Sequence, residues 1–282
     1  MISSLKKFFD KILSLSGYKL IGRKDIVKHN SFNAIHKFIF EKMVNKSKLI
    51  IFDVGANDGR SIIRFESRFP DAEIYSFEPT KSAYGKISKL SSEKIRIFNY
   101  ALSNIDGEKE FCQYEYLSGK TNSFYPMVKN SKYRLQRTVS NNETETIKCV
   151  KVKKLDTFLE ENEISNIDLL KIDTQGAEIE ILKGAEKTLN SKKINVIELE
   201  YIIGIAHEFR SSLYELEEML HKNNYKLIAI EHSGNIISFS NYQTNLIYVK
   251  NEIFDKIKQF HENNIDVKNI TNKVNHYKFL NL

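Results

Sequence analysis

Four carboxylates close short apolar runs: Asp53 after Leu49-Ile50-Ile51-Phe52, Glu78 after Ile74-Tyr75-Ser76-Phe77, Asp173 after Leu169-Leu170-Lys171-Ile172, and Glu200 after Val196-Ile197-Glu198-Leu199. A carboxylate at the end of a strand opens onto the crevice where open α/β sheets bind their ligands. It can accept hydrogen bonds from hydroxyls, hold a cationic group, take a proton or join a hard metal ion. The first run continues as Asp53-Val54-Gly55-Ala56-Asn57-Asp58-Gly59. Glycines in such a turn let the backbone approach a ligand closely. Their spacing lacks the G-x-G-x-x-G that seats a pyrophosphate on a helix N-terminus. A carboxylate in that place repels phosphates and favours an amine-bearing or cationic ligand.

S-adenosylmethionine fits this description, with an amine, a sulfonium and no phosphate. Glu78 follows Asp53 by 25 residues, where an acidic side chain can accept both ribose hydroxyls, and Pro79 fixes the turn that presents it. An alcohol acceptor of a methyl group must lose its proton, and the base candidates are Asp173 and His207. Glu200 could orient the base, bind a sugar hydroxyl, or join Asp173 on a divalent cation; two ligands are too few to predict a metal. The stretch Gly119–Pro126, with Thr121, Asn122 and Tyr125, is the candidate acceptor lid.

Positioning these groups requires alternating strands and helices. Strands are predicted at Leu49–Val54, Glu73–Phe77, Ile95–Asn99, Asp168–Asp173 and Ile194–Leu199, with a closing pair at Tyr225–Glu231 and Asn245–Lys250. Helices are predicted at Asp58–Phe69, Lys81–Leu90, Ala177–Leu189 and Ser211–Lys222. Such alternation implies one mainly parallel sheet with helices on both faces. Residues 106–152 break the rhythm and read as an inserted hairpin or two with a loop. A helix from Ser31 to Met43 and a basic amphipathic start occupy residues 1–48; residues 251–282 form a polar tail with a helix at Ile253–Phe260.

The pattern resembles the FkbM-type S-adenosylmethionine-dependent methyltransferases. The resemblance rests on Asp53–Gly59, Phe77-Glu78-Pro79, Asn99-Tyr100-Ala101-Leu102-Ser103, Val152-Lys153-Lys154-Leu155-Asp156 and, most specifically, Lys171–Glu178 with Leu182-Lys183-Gly184-Ala185. Gln175 stands where the family often has Glu. The resemblance runs from about Leu49 to Lys250 and implies a Rossmann-like class I methyltransferase fold, with a seven-stranded sheet and added N-terminal helices. It further implies that Asp53, Gly55, Ala56, Asn57 and Gly59 surround the methionine moiety and ribose, that Glu78 and Pro79 hold the ribose, and that Asn99, Ala101 and Leu102 flank the adenine. Asp173 would lie near the sulfonium or the acceptor. The implied acceptor is a hydroxyl on a sugar of a surface polysaccharide or glycan, with secondary-metabolite and lipid hydroxyls as alternatives.

Composition excludes other classes. The net charge is +7, but residues 1–48 hold 11 Lys/Arg against 3 Asp/Glu, and the remaining residues hold 32 against 33. The body thus lacks the net field that draws a polyanion, and no nucleic-acid partner is expected. Only Pro70, Pro79 and Pro126 are present, so the proline motifs of amino- and cytosine-C5-methylating nucleic-acid enzymes are missing. A nicotinamide oxidoreductase would need the absent phosphate loop; a non-catalytic nucleoside-binding module would need a ruined cofactor loop, whereas Asp53, Gly55 and Gly59 are intact. Two cysteines, Cys112 and Cys149, suit a cytoplasmic protein with reduced thiols. Residues 1–17 can lie on an anionic membrane face at the inner side, or pack as a cap on the sheet.

Overall fold

The computed structural model describes residues 31–46, 48–114, 122–126, 145–203, 211–233 and 242–264. The expected basic helix of residues 1–17, Gly119–Thr121, His207 and the tail beyond Asn264 lie outside the described residues. Ten strands are formed in chain order: β1 (Ile50–Val54), β2 (Glu73–Phe77), β3 (Ile95–Phe98), β4 (Ala101–Leu102), β5 (Gly107–Tyr114), β6 (Glu145–Lys153), β7 (Ile167–Ile172), β8 (Ile194–Ile203), β9 (Tyr225–Ser233) and β10 (Tyr242–Lys250). The main sheet has the order β3-β2-β1-β7-β8-β10-β9. Only β10 runs antiparallel to its neighbours; the other pairings are parallel. The chain therefore forms the expected seven-stranded Rossmann-like sheet. Its strand order reverses between β1 and β7, and a crevice opens beyond their C-terminal ends. The insertion's β5 and β6 form a separate sheet with β4, in the order β4-β6-β5.

Side-chain alternation along the central strands builds two cores. Phe52 and Val54 of β1, with Leu170 and Ile172 of β7, face one side, covered by α4 (Leu155–Glu161), α5 (Glu178–Lys183), α6 (Glu186–Asn190) and α7 (Leu213–Lys222). Ile51 and Leu169 face the other side. There they meet α1 (Ser31–Phe38, continued by a π turn Ile39–Val44), α2 (Arg60–Arg68), α3 (Lys81–Ile87) and α8 (Asn251–Asn264). All six residues of β7 are buried, as expected for a strand covered on both faces. Phe158 of α4 sets its ring edge-on to Phe52, Phe77 and Phe98, at centroid distances of 5.6, 5.0 and 5.1 Å. Burying such a ring contributes about 1.5–3 kcal/mol.

Both flanks of the predicted domain are packed where they are described. Ile39, Phe40 and Met43 are buried in the second core, and Lys256 Nζ of α8 donates to the Met43 carbonyl at 2.9 Å. The expected helix Ala177–Leu189 forms as two short helices. It breaks at Gly184, whose backbone lies so close to the Ser103 carbonyl that no Cβ fits between them.

Candidate active site

The β1–α2 turn is built by its own backbone. Gly55 takes φ +84°, and a Cβ there would collide with the Asp173 carbonyl oxygen, so only glycine lets the β1 and β7 ends touch. Gly55 N and Ala56 N donate to the Phe77 carbonyl at 3.1 and 3.2 Å. Asn57 N donates to Glu78 Oε2 at 2.9 Å, and Gly59 N to the Ala56 carbonyl at 2.8 Å. These four amides, the ones a phosphate cradle would use, are consumed by the neighbouring strand end and the turn itself. The geometry thus agrees with the spacing argument that no pyrophosphate sits here.

Above the turn lies a cleft of about 510 Å³, with Gly55, Ala56, Asn57, Glu78, Pro79, Ala101, Leu102, Asp173 and Glu200 in its lining. Nine sequence-predicted site residues are therefore brought together. Three others are placed differently. Asp53 is fully buried and does not line the cleft. Its Oδ2 accepts the Ser61 hydroxyl at 2.6 Å, and its Oδ1 lies 3.0 Å from Lys171 Nζ. Gly59 takes φ +78° at the start of α2, and a Cβ there would press on Leu90 and Ile87. Asn99 donates from Nδ2 to the Glu78 and Pro79 carbonyls at 2.9 and 3.1 Å, which fixes the turn carrying the carboxylate. It borders an adjoining groove instead. His207 lies outside the described residues.

Glu78 is almost wholly buried. Its Oε1 accepts Thr80 N at 2.9 Å and Thr80 Oγ1 at 2.5 Å, and among the described residues Oε2 accepts the Asn57 amide alone. One acceptor position on Oε2 remains for a ligand hydroxyl. Burial pushes its carboxyl above the usual range, although the three hydrogen bonds oppose this.

Asp173 and Glu200 form a coupled carboxyl pair. Gln175, at φ +57°, donates from Nε2 to Asp173 Oδ1 at 3.3 Å and to Glu200 Oε2 at 2.5 Å. Burial and the Asp173 charge raise Glu200 well above the usual carboxyl range. Burial also acts to raise Asp173, but the Lys171 charge and hydrogen bonds from Glu200 and Gln175 prevail and hold it low. The two shifts favour Asp173 as the ionised member and Glu200 as the protonated one. Lys171 Nζ stands 3.0 Å from Asp53 and 3.4 Å from Asp173. Burial would discharge it, but the two carboxylates outweigh burial and keep it protonated.

Several cleft residues were not predicted. Arg64 of α2 donates to Glu198 Oε1 at 3.1 Å, and both line the cleft. Their sequence signal was a charged residue inside an apolar strand and an Arg60/Arg64 pair one helical turn apart. Of the candidate lid, Asn122 lines the cleft together with Phe124, and Tyr125 donates its hydroxyl to Glu180 of α5. Among the described residues, no three His, Cys, Asp or Glu are grouped to hold a metal ion, and no helix is long and apolar enough to cross a membrane.

The site suits a ligand that is cationic near Asp173 and offers hydroxyls to Glu78. The chain is similar to the 2-O-methyltransferase NoeI of Sinorhizobium fredii, at 28% identity over 214 residues, 72% of this chain and 83% of the relative. It is also similar to the hexuronic acid methyltransferase AglP of Haloferax volcanii, at 24% identity over 153 residues, 53% of this chain and 55% of the relative. The magnesium protoporphyrin IX methyltransferase ChlM of Synechocystis PCC 6803 superposes with a TM-score of 0.44 at 11% identity, over 88% of this chain and 96% of its own. The family model described as the methyltransferase FkbM domain matches residues 53–227, more than half of the chain. The chain belongs to the FkbM family of S-adenosylmethionine-dependent methyltransferases.

Proposed function

We propose that this methyltransferase methylates a hydroxyl on a sugar of a surface polysaccharide or glycan. The observation that carries the proposal is the Asp173–Glu200 pair in the cleft, held by Lys171 and Gln175. A sugar hydroxyl is a weak nucleophile until its proton is withdrawn, and an ionised carboxylate beside a protonated one can accept that proton and pass it on. The relatives whose names specify 2-O- and hexuronic acid methylation support the sugar class. The cofactor supplies an electrophilic methyl group on a sulfonium. Glu78 accepts a ribose hydroxyl at its remaining Oε2 position. The Gly55–Asn57 backbone and Leu102 wall the site, and the buried Asp53–Lys171 pair holds Asp173 at the β7 end. Alignment of this kind can supply about 7–11 kcal/mol in favourable cases.

Incubation of the full chain with labelled S-adenosylmethionine and a panel of saccharides tests the proposal. The expected products are equal amounts of S-adenosylhomocysteine and a sugar methyl ether, identified by mass spectrometry. A label on nitrogen, carbon or a carboxyl group, or transfer to no saccharide, would overturn it.

A further inference from the structure

A second groove of about 1170 Å³ adjoins the cleft and shares Asn57, Asp58, Pro79 and Asn122 with it. One wall is α3, with Lys81 at its start and Lys86 in its last turn; the other is the β6 segment Lys148–Lys151. All four lysines are exposed, and none forms an ion pair with another described residue. The groove contains two carboxylates. Asp58 is already paired with Arg60 at 2.7 Å, and Glu108 stands opposite Lys151 across the β5–β6 ladder. The balance is positive, on a body whose overall charge is close to zero.

The backbone adds a second feature. Among the described residues, β4 pairs with β6 only at Val152 and Lys153, whereas β5 covers the other edge along its whole length. Along Thr146–Lys151, therefore, the β6 edge away from β5 pairs with no strand among the described residues. Such an edge offers alternating donors and acceptors, which suit the hydroxyls of a chain of sugars.

We infer that this groove receives the methyl acceptor and selects an anionic saccharide, one bearing carboxylate or phosphate groups. The inference rests on reading the adjoining cleft as the methyl-donor site. The shared rim lets a sugar residue pass from groove to cleft, while flanking anionic groups meet lysines from both walls. Nucleic acid is the less fitting polyanion, because among the described residues the groove's aromatic side chain, Tyr114, is buried and offers the bases no stacking platform.

Calorimetry on the full chain saturated with S-adenosylhomocysteine tests this. The probes are an oligogalacturonate, a phosphorylated oligosaccharide, a neutral galacto-oligosaccharide and a short DNA strand. At least one of the two anionic saccharides is expected to bind about tenfold or more tightly than the neutral one, and which of them does identifies the anionic group. That preference should fade at high ionic strength. The double variants K81E/K86E and K148E/K151E should each weaken anionic binding about tenfold or more, with S-adenosylhomocysteine affinity unchanged. Equal binding of the neutral saccharide, tighter binding of DNA, or loss of S-adenosylhomocysteine affinity in the lysine variants would each overturn the inference. Failure of the unaltered chain to bind S-adenosylhomocysteine would overturn the reading of the cleft, and the inference with it.

Discussion

Lys171 and Asp53 face each other across the β1–β7 pairing, with Nζ 3.0 Å from Oδ1 and both side chains buried. The two strands meet where the sheet order reverses, so Lys171 reaches the floor of the cleft and Asp53 lies beneath it. Lys171 also reaches Asp173 at 3.4 Å and donates to the Gly55 carbonyl at 3.3 Å. One ammonium group thus connects the cofactor turn to the acid pair.

Removing that ammonium should damage the fold before the chemistry. Lys171→Met leaves the Asp53 carboxylate buried without its counter-charge, and breaking a buried pair in this way costs about 3–5 kcal/mol. The double variant Asp53→Asn/Lys171→Met should recover much of the loss. Urea denaturation checks both; equal stability of the single variant and the parent chain would refute the account.

Glu78 bridges the β1 and β2 turns while keeping one acceptor position for a ligand. Glu78→Gln replaces one acceptor oxygen with an amide NH2 donor, so either Asn57 N or the Thr80 donors lose a partner. S-adenosylmethionine affinity is expected to fall about tenfold to a hundredfold, from the loss of a hydrogen bond to a charged group. Isothermal titration measures it directly.

His36 of α1 is buried with Nε2 3.4 Å from Glu198. Burial lowers its pKa to about 4; the Glu198 charge opposes the shift, and Arg64 and Arg68 add to it. The unfolded chain binds a proton between pH 6.5 and about 4 where the folded chain does not, so stability is lost as pH falls through that window. The full loss is about 3 kcal/mol. His36→Gln should flatten this part of the stability profile, as followed by denaturant midpoints at neutral and mildly acidic pH.

The fold was legible wherever burial left a strong pattern. The β2 run Glu73–Phe77 was read to the residue, because both sheet faces demand apolar side chains there. Helix α4 was not read: seven residues containing Asp156 and Thr157 show too little periodicity, and tertiary packing of Leu155 and Phe158 decides it. The site residues at the strand ends were expected from the strand-end pattern and the family resemblance together, and nine of the expected site residues line the cleft. Asp53 was expected beside the ligand, yet it lies beneath the cleft. Its neighbour Lys171 is set by the β1–β7 register, and a register between strands more than a hundred residues apart is not written in local spacing. The same limit hid Gln175, whose two carboxylate partners come from β7 and β8 ends.

The acid pair yields the sharpest test, because its two members should hold opposite charge states. Asp173 is held ionised, and Asp173→Asn should reduce kcat about 10²–10⁴-fold, measured at saturating S-adenosylmethionine. Glu200 is raised well above the usual carboxyl range, so its contribution to stability is present at low pH and is lost as pH rises through that raised value. Glu200→Gln resembles the protonated acid: its amide can donate to Asp173, and its carbonyl can accept from Gln175. The variant should therefore be more stable than the parent chain above that value, and equally stable at acidic pH. It should also be slower, because the amide cannot release a proton and take it back. Parallel denaturation and turnover profiles against pH separate these effects. A Glu200→Gln variant with unchanged turnover would remove Glu200 from proton transfer and leave Asp173 to act alone.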